Sequence, residues 1–453
     1  MKSNDSTNYF KFLLIHLIIG WVIFVFPPLS KLYAIFIMFF GYSYVIKYKN
    51  KNNEVLIVAA YIIGAEVMLR MTDGMFINEY AKYNVILLMV LGMIYSGFSK
   101  YSFPYWLFLL FLIPGVFYGI SQLNFETNIR KAIAFNISGP ATLGFAALYC
   151  FDREITFEQI KKMIFALGYP IVAITLYLFL YTPSVKDVVI GTYSNFQTSG
   201  GFGPNQMSTI LGLGTFVYFF NTFFNSKTKT ILLINIILTT VIAYRGIVTF
   251  SRGGMLTGAI MIICLVILAY NKLNKQGQAK LLLIIITTIL LSGFIWLYSS
   301  VQTGGLIDKR YANQDAKGRE KESKLTGREI LIESELEMFW ENPILGVGVG
   351  KNKEYREEML GISAASHNEI SRMLAEQGML GVFCLLILFI TPFILYLNNR
   401  NNIFILSFYL FWILTINHAA MRLAAPAFIY ALSLLKVTFV DEKSNSLPRQ
   451  STV

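Results

Sequence analysis

The sequence predicts an all-α fold, a polytopic bundle of about 12–14 transmembrane helices with one large loop on its outer side. Three observations predict it. Of 453 residues, 55% are hydrophobic and only 14% are charged, whereas a soluble domain carries roughly a quarter charged residues. Apolar runs such as Phe12 to Phe26, Leu281 to Leu297 and Val382 to Leu397 approach a ~30 Å hydrocarbon core at ~1.5 Å rise per residue. They lack the two-residue alternation of a membrane β-barrel, and a backbone in hydrocarbon must satisfy its own hydrogen bonds, so the spans are helices. Thirdly, basic residues recur in alternate connections.

The first apolar segment has no small-residue cleavage site after it and runs into Phe26-Pro27-Pro28, so it reads as a retained helix. One set of connections carries Lys47, Lys49 and Lys51, then Lys100, then Arg153, Lys161 and Lys162, then Lys227 and Lys229, then Lys272, Lys275 and Lys280, then Arg400. The positive-inside rule makes that set cytoplasmic. With about fourteen spans, Lys2, Lys11 and the tail with Lys436, Lys443 and Arg449 fall on the same side. The outward set comprises residues 28–31, 72–82, 121–131, 182–206, 250–254, a long segment from Ser300 to about Glu376 and a last turn at His418 to Arg422. This divides the chain into N-terminal spans (1–299), a large periplasmic loop (300–377) and C-terminal spans with a cytoplasmic tail (378–453).

The formal charge of +12 is dispersed in short connections, which argues against nucleic acid as a partner. Cys150, Cys264 and Cys384 lie in or beside apolar segments without a CxxC or Cys/His cluster, so neither disulfides nor a metal site are expected. Asp-x-Asp and GxxxxGK[ST] are both missing, which removes the parts for carboxylate-held metal chemistry on nucleotide sugars and for ATP hydrolysis.

The large loop is far longer than the ~2–8 residues that join neighbouring helices. Thr326-Gly-Arg-Glu329 fits a capping box and predicts a helix start. Ile332, Leu336, Phe339 and Trp340 then recur at helical spacing against a stripe of Glu329, Glu333, Glu337 and Glu341, and Asn342-Pro343 ends the run. Such a helix would lie on the membrane domain. Ser366-His-Asn-Glu369 is a second capping-box pattern, which puts His367 in the first turn of a helix feeding the next span.

Arginine costs roughly 2.5–3.5 kcal/mol at a membrane helix centre, so each one there needs a reason. Arg245 and Arg252 are seven residues apart, a gap that returns a helix to nearly the same face, where they could grip one anion together. Snorkelling to headgroups is the alternative. Arg70 lies four residues after Glu66 and reads equally as a further cation or as a helical ion pair. His367, near a helix N-terminus whose dipole disfavours the imidazolium, suits a general base; it also suits a solvated or packed side chain. His16 and His418 read as core or interface residues, and Asp73 as a turn residue.

These motifs resemble the O-antigen ligase and O-antigen polymerase superfamily of bacterial envelope glycosyltransferases. The resemblance rests on Thr249-Phe-Ser-Arg-Gly-Gly254, on Thr326-Gly-Arg328 leading to Asn342-Pro-Ile-Leu-Gly-Val-Gly348, and on Ser366-His-Asn-Glu369 followed by Glu376-Gln-Gly378 and Gly381. It implies a lipid-dependent glycosyltransferase bundle without cofactor or metal. The donor would be a glycan on undecaprenyl diphosphate, the acceptor another glycan or the lipid A core, and the place the periplasmic side of the inner membrane. By motif position, Arg252 and Arg328 would bind the diphosphate and His367 would orient or deprotonate the attacking hydroxyl. Arg245, Arg70 and Asn368 would contact substrate. A transporter or flippase is the rival from another class, since many spans with a few intramembrane charges describe those too.

Overall fold

The structure, a computed structural model, describes residues 2–321, 323 and 328–439, with side chains from residue 7 onward. Thr326, Gly327, Lys443 and Arg449 lie outside the described residues. Eleven helices precede the large loop: α1 (Lys2–Val25), α2 (Leu29–Tyr48), α3 (Glu54–Met71), α4 (Tyr80–Ser96), α5 (Phe103–Gln122), α6 (Ile129–Cys150), α7 (Phe157–Tyr181), α8 (Pro204–Phe220), α9 (Lys229–Ile247), α10 (Arg252–Tyr270) and α11 (Lys275–Gln302). The loop holds α12 (Leu306–Tyr311), α13 (Glu329–Glu341) and α14 (Asn352–Leu360); α15 (Glu369–Asn398), α16 (Ile405–Ala419) and α17 (Ala425–Leu432) follow.

The all-α bundle expected from composition is the observed fold, and among the described residues ten helices are long and apolar enough to cross a membrane. The other passes are short or charged. α3 carries Glu54, Glu66 and Arg70, yet nearly all of it is buried between neighbouring helices, so its charges meet protein groups instead of lipid. α17 has eight residues, all buried; a pass too short for the bilayer is tolerated because protein encloses it.

Hydrogen bonds sort the connections onto two faces. On one, Asn50 donates to the Tyr149 hydroxyl at 2.8 Å, Arg153 to the Gly97 carbonyl at 2.5 Å and Lys272 to Asn401 Oδ1 at 3.1 Å. There β1 (Glu154–Thr156) also pairs in parallel with β2 (Lys436–Thr438), with Glu154 opposite Lys436. These are the basic connections. On the other face, Ser30 donates to the Thr72 carbonyl at 2.9 Å, Lys351 to Asn124 Oδ1 at 3.2 Å, and the Ala420 amide to the His367 carbonyl at 3.1 Å. This second face carries the loop layer.

α15 is two helices joined at Gly378, whose φ of +59° and ψ of −135° break the ladder. A Cβ there would lie 2.7 Å from the Ile344 carbonyl, so only glycine allows the chain to pass. The half before the break packs in the loop layer and the half after it crosses the bundle.

Two local expectations differ from the structure. α13 buries Leu331, Ser334, Glu335 and Met338, whereas Trp340 is 75% exposed and Leu336 37%. A glutamate replaces the apolar stripe because its partners compensate it. Glu335 Oε1 receives Arg356 Nη2 at 2.6 Å, with both side chains fully buried, and Oε2 receives the Ser371 hydroxyl at 2.5 Å. The cap of α15 is Asn368 and not Ser366. Asn368 Oδ1 accepts from the Ile370 and Ser371 amides at 2.8 and 3.3 Å, a role asparagine fills at least as well as serine. His367 therefore precedes the helix instead of lying in its first turn.

Candidate functional site

Arg252 opens α10 after a tight turn in which Phe250 takes a φ of +59°. That turn is over-determined. The Thr249 carbonyl accepts from the Asn195 amide at 2.9 Å, the Ser251 carbonyl from the Ser208 hydroxyl at 2.6 Å, and the Ser251 hydroxyl donates to Asn205 Oδ1 at 2.7 Å. Gly254 lets α8 and α10 approach so closely that a Cβ would fall 2.2 Å from the Ser208 carbonyl carbon, a small-residue contact of the kind that draws membrane helices together. Gly253 does the same for a side chain: the His418 ring lies 2.7 Å from where its Cβ would be.

Around Arg252 gathers a set of cations from distant parts of the chain. Arg252 Nη1 donates to the Arg310 carbonyl at 3.3 Å. Arg310 is buried, its Nε donating to the Phe250 carbonyl at 2.9 Å and its Nη2 to the Ser194 hydroxyl at 3.4 Å. Burial and the charges of Arg252 and Arg328 bring Arg310 down to about 10, below the usual range for a guanidinium yet protonated at neutral pH. Arg328, the residue before α13, is shifted down by burial and by Arg252, with Glu329 offsetting in part. None of Arg252, Arg310 and Arg328 forms an ion pair among the described residues.

His367 faces this cluster. Burial first, and then the charges of Arg422, Arg328 and Arg356, hold it at about 4, so its ring is neutral at physiological pH. Its Nδ1 is buried without a hydrogen-bond partner among the described residues. The neutrality expected from a helix dipole thus comes from burial and neighbouring arginines. His418 lies nearby, its Nδ1 2.9 Å from the Leu414 carbonyl and its Nε2 3.4 Å from the Thr209 hydroxyl. A ring nitrogen against a carbonyl must carry the proton, so Nδ1 is the donor to Leu414.

The structure brings together Arg252, Arg328 and His367 of the residues singled out from sequence. It does not bring Arg245 to them. The helix ends between Arg245 and Arg252, so the seven-residue spacing does not put them on one face. Arg245 is 1% exposed and donates to the carbonyls of Thr182, Leu178 and Thr198 at 3.3, 2.9 and 3.2 Å, with Phe179 under its plane at 5.0 Å. It ties the end of α7 to the following loop. Arg70 pairs with Glu66 at 3.0 Å and donates to the Arg422 carbonyl at 3.2 Å. Asn368 spends its Oδ1 on the cap of α15 and its Nδ2 on Asn417 Oδ1 at 3.1 Å.

Arg310 and Arg422 are residues that sequence reasoning passes over, and it reads His418 only as a core or interface residue. Arg310 sits in Asp308-Lys-Arg310, which reads as an ordinary solvated charge run. His418 and Arg422 flank a turn recognised as outward, but nothing in their spacing ties them to motifs over fifty residues away.

Compared with known protein families, residues 235–386 match the family described as O-antigen ligase. That stretch contains Arg252, Arg310, Arg328 and His367, and the resemblance read from the motifs is shown there. No curated protein matches the chain.

Proposed function

We propose that the protein is a membrane glycosyltransferase of the O-antigen ligase/polymerase type, which moves a glycan from undecaprenyl diphosphate to a sugar hydroxyl at the outer face of the inner membrane. One observation carries the reading: three guanidinium groups that form no ion pair among the described residues, Arg252, Arg310 and Arg328, converge beside a histidine held neutral. Unpaired buried cations are costly, and an anionic ligand is what repays the cost.

The chemistry follows from that arrangement. The acceptor oxygen bonds to the anomeric carbon of the donor sugar as the bond from that carbon to the diphosphate oxygen breaks. His367 orients the hydroxyl and takes its proton, and the electron pair leaves with the diphosphate. Arg252 and Arg328, whose planar forks match phosphate oxygens, stabilise the charge that develops there, the work a metal does in other glycosyl transfers. A single displacement inverts the anomeric centre. A lipid diphosphate rides at headgroup level, where the ends of the spans meet the loop layer, and a loop layer over the glycan excludes the water that competes as acceptor.

The test is transfer by purified protein in vesicles supplied with a defined undecaprenyl-diphosphate glycan. Wild-type protein is expected to form product, and H367A and R328A to lose it; transfer retained by H367A would remove the catalytic role. The acceptor is read in cells. A gene deletion that leaves single-repeat core glycan marks a polymerase, and core without any repeat marks a ligase.

A further inference from the structure

The turn between α16 and α17 presents a fourth guanidinium to His367. Arg422 Nη2 donates to the Ser366 carbonyl at 3.1 Å, while its Nε is buried without a hydrogen-bond partner among the described residues. His367 Nδ1 is orphaned in the same way, and the charge of Arg422 is the largest electrostatic influence on that ring after burial. Arg422, like the other three, forms no ion pair among the described residues.

The turn that carries it is strained and clamped. Ala420 has a φ of +48° and ψ of −160°, a conformation that a non-glycine residue adopts only where its surroundings impose it. The surroundings do so from three sides. The Ala420 amide donates to the His367 carbonyl at 3.1 Å; the Met421 amide donates to Glu369 Oε2 at 3.3 Å; and the Ala424 amide donates to Glu66 Oε2 at 2.8 Å. Glu66 Oε1 in turn holds Arg70, whose other nitrogen reaches the Arg422 carbonyl at 3.2 Å. Behind them, Glu79 lies 3.9 Å from Arg70 and 2.6 Å from Lys82. A buried chain of charges in a membrane domain is expensive, and it meets the turn through Arg70 and Glu66.

We propose that Arg422 is a further diphosphate-binding residue, completing the cationic ring on the side of His367, and that the Glu66–Arg70 pair is the positioning device that aims it. This rests on the transferase reading above. Closure of the ring around the anion places the leaving group across from the histidine, so the donor cannot bind productively with the turn displaced.

The experiment is equilibrium binding of undecaprenyl diphosphate to the protein in nanodiscs, with inorganic pyrophosphate as competitor, followed by donor and acceptor kinetics. R422Q is expected to weaken binding roughly 10- to 100-fold, the size of a lost charge-assisted hydrogen bond, and R422K to recover part of it. E66Q is expected to raise the donor KM while leaving the acceptor KM near wild type, a split that a merely structural role would not produce. Wild-type affinity in R422Q, or in R422A should R422Q not fold, overturns the proposal, and an unchanged donor KM in E66Q overturns the positioning role. If wild-type protein and R328A bind the probe equally weakly, it is the transferase reading that fails.

Discussion

Replacing Glu335 by alanine isolates the buried pair that builds the loop layer. Arg356 is fully buried and makes three contacts: Glu335 at 2.6 Å, the Ser334 hydroxyl at 2.9 Å and the Ala364 carbonyl at 2.5 Å. It thereby joins α13, α14 and the strand of loop that ends in His367. E335A leaves that guanidinium buried without a counter-charge, which costs ~3–5 kcal/mol when one partner of a buried pair is removed. At ~1.4 kcal/mol per tenfold, local opening of α13 and α14 rises roughly 10²- to 10⁴-fold. Hydrogen exchange of their amides reads this directly, against α8 and α10 as internal references. The double variant E335L/R356M removes both charges at similar volume and is expected to regain most of the protection, because a well-packed apolar replacement of a buried pair is often neutral. Exchange in E335A within about threefold of wild type, a change under ~1 kcal/mol, would refute the view that this pair holds the layer together.

Three further outcomes are expected. R245A lowers the melting temperature and yield, because the buried carbonyls of Thr182 and Thr198 lose a donor at ~1–3 kcal/mol each, while the donor KM of the folded fraction stays put; a raised KM at unchanged stability would return Arg245 to the proposed phosphate site. G254A forces α8 and α10 apart by a backbone contact of 2.2 Å, costing ~1–3 kcal/mol of overpacking and displacing Arg252, visible as a lower melting point together with weaker donor binding. The pH profile carries a sign. His367 must be unprotonated to accept a proton, and it sits at about 4 with its arginines unneutralised, so kcat/KM holds from neutral pH down to about 4. Bound diphosphate offsets those arginines and raises the ring, so the acid limb of kcat lies at higher pH than that of kcat/KM; coincident limbs would sever the histidine from the anion.

Much of the architecture was legible in the chain. Hydropathy and basic connections place the turns on two faces, because hydrocarbon demands internally bonded helices and charge placement follows the faces. Two of the passes that charge or shortness keeps out of the ten, α3 and α17, are enclosed by protein, where neighbours replace lipid as the solvent. The amphipathic stripe of α13 misled for a related reason: Glu335 is buried because Arg356, twenty-one residues away, pays its desolvation.

Of the candidate site, the sequence by itself singled out the three motif residues Arg252, Arg328 and His367, since each opens or precedes a helix with a short, readable signature. It also determined that the site belongs to the face of the large loop. Tertiary structure alone decided which arginines gather beside His367. Arg245 and Arg252 are seven positions apart, yet a chain reversal sends one to the carbonyls at the end of α7 and the other to the cluster, while Arg310 and Arg422 arrive from separate segments. Spacing along a chain reports direction only within one continuous helix; across a turn, the partner that satisfies a charge is chosen by packing.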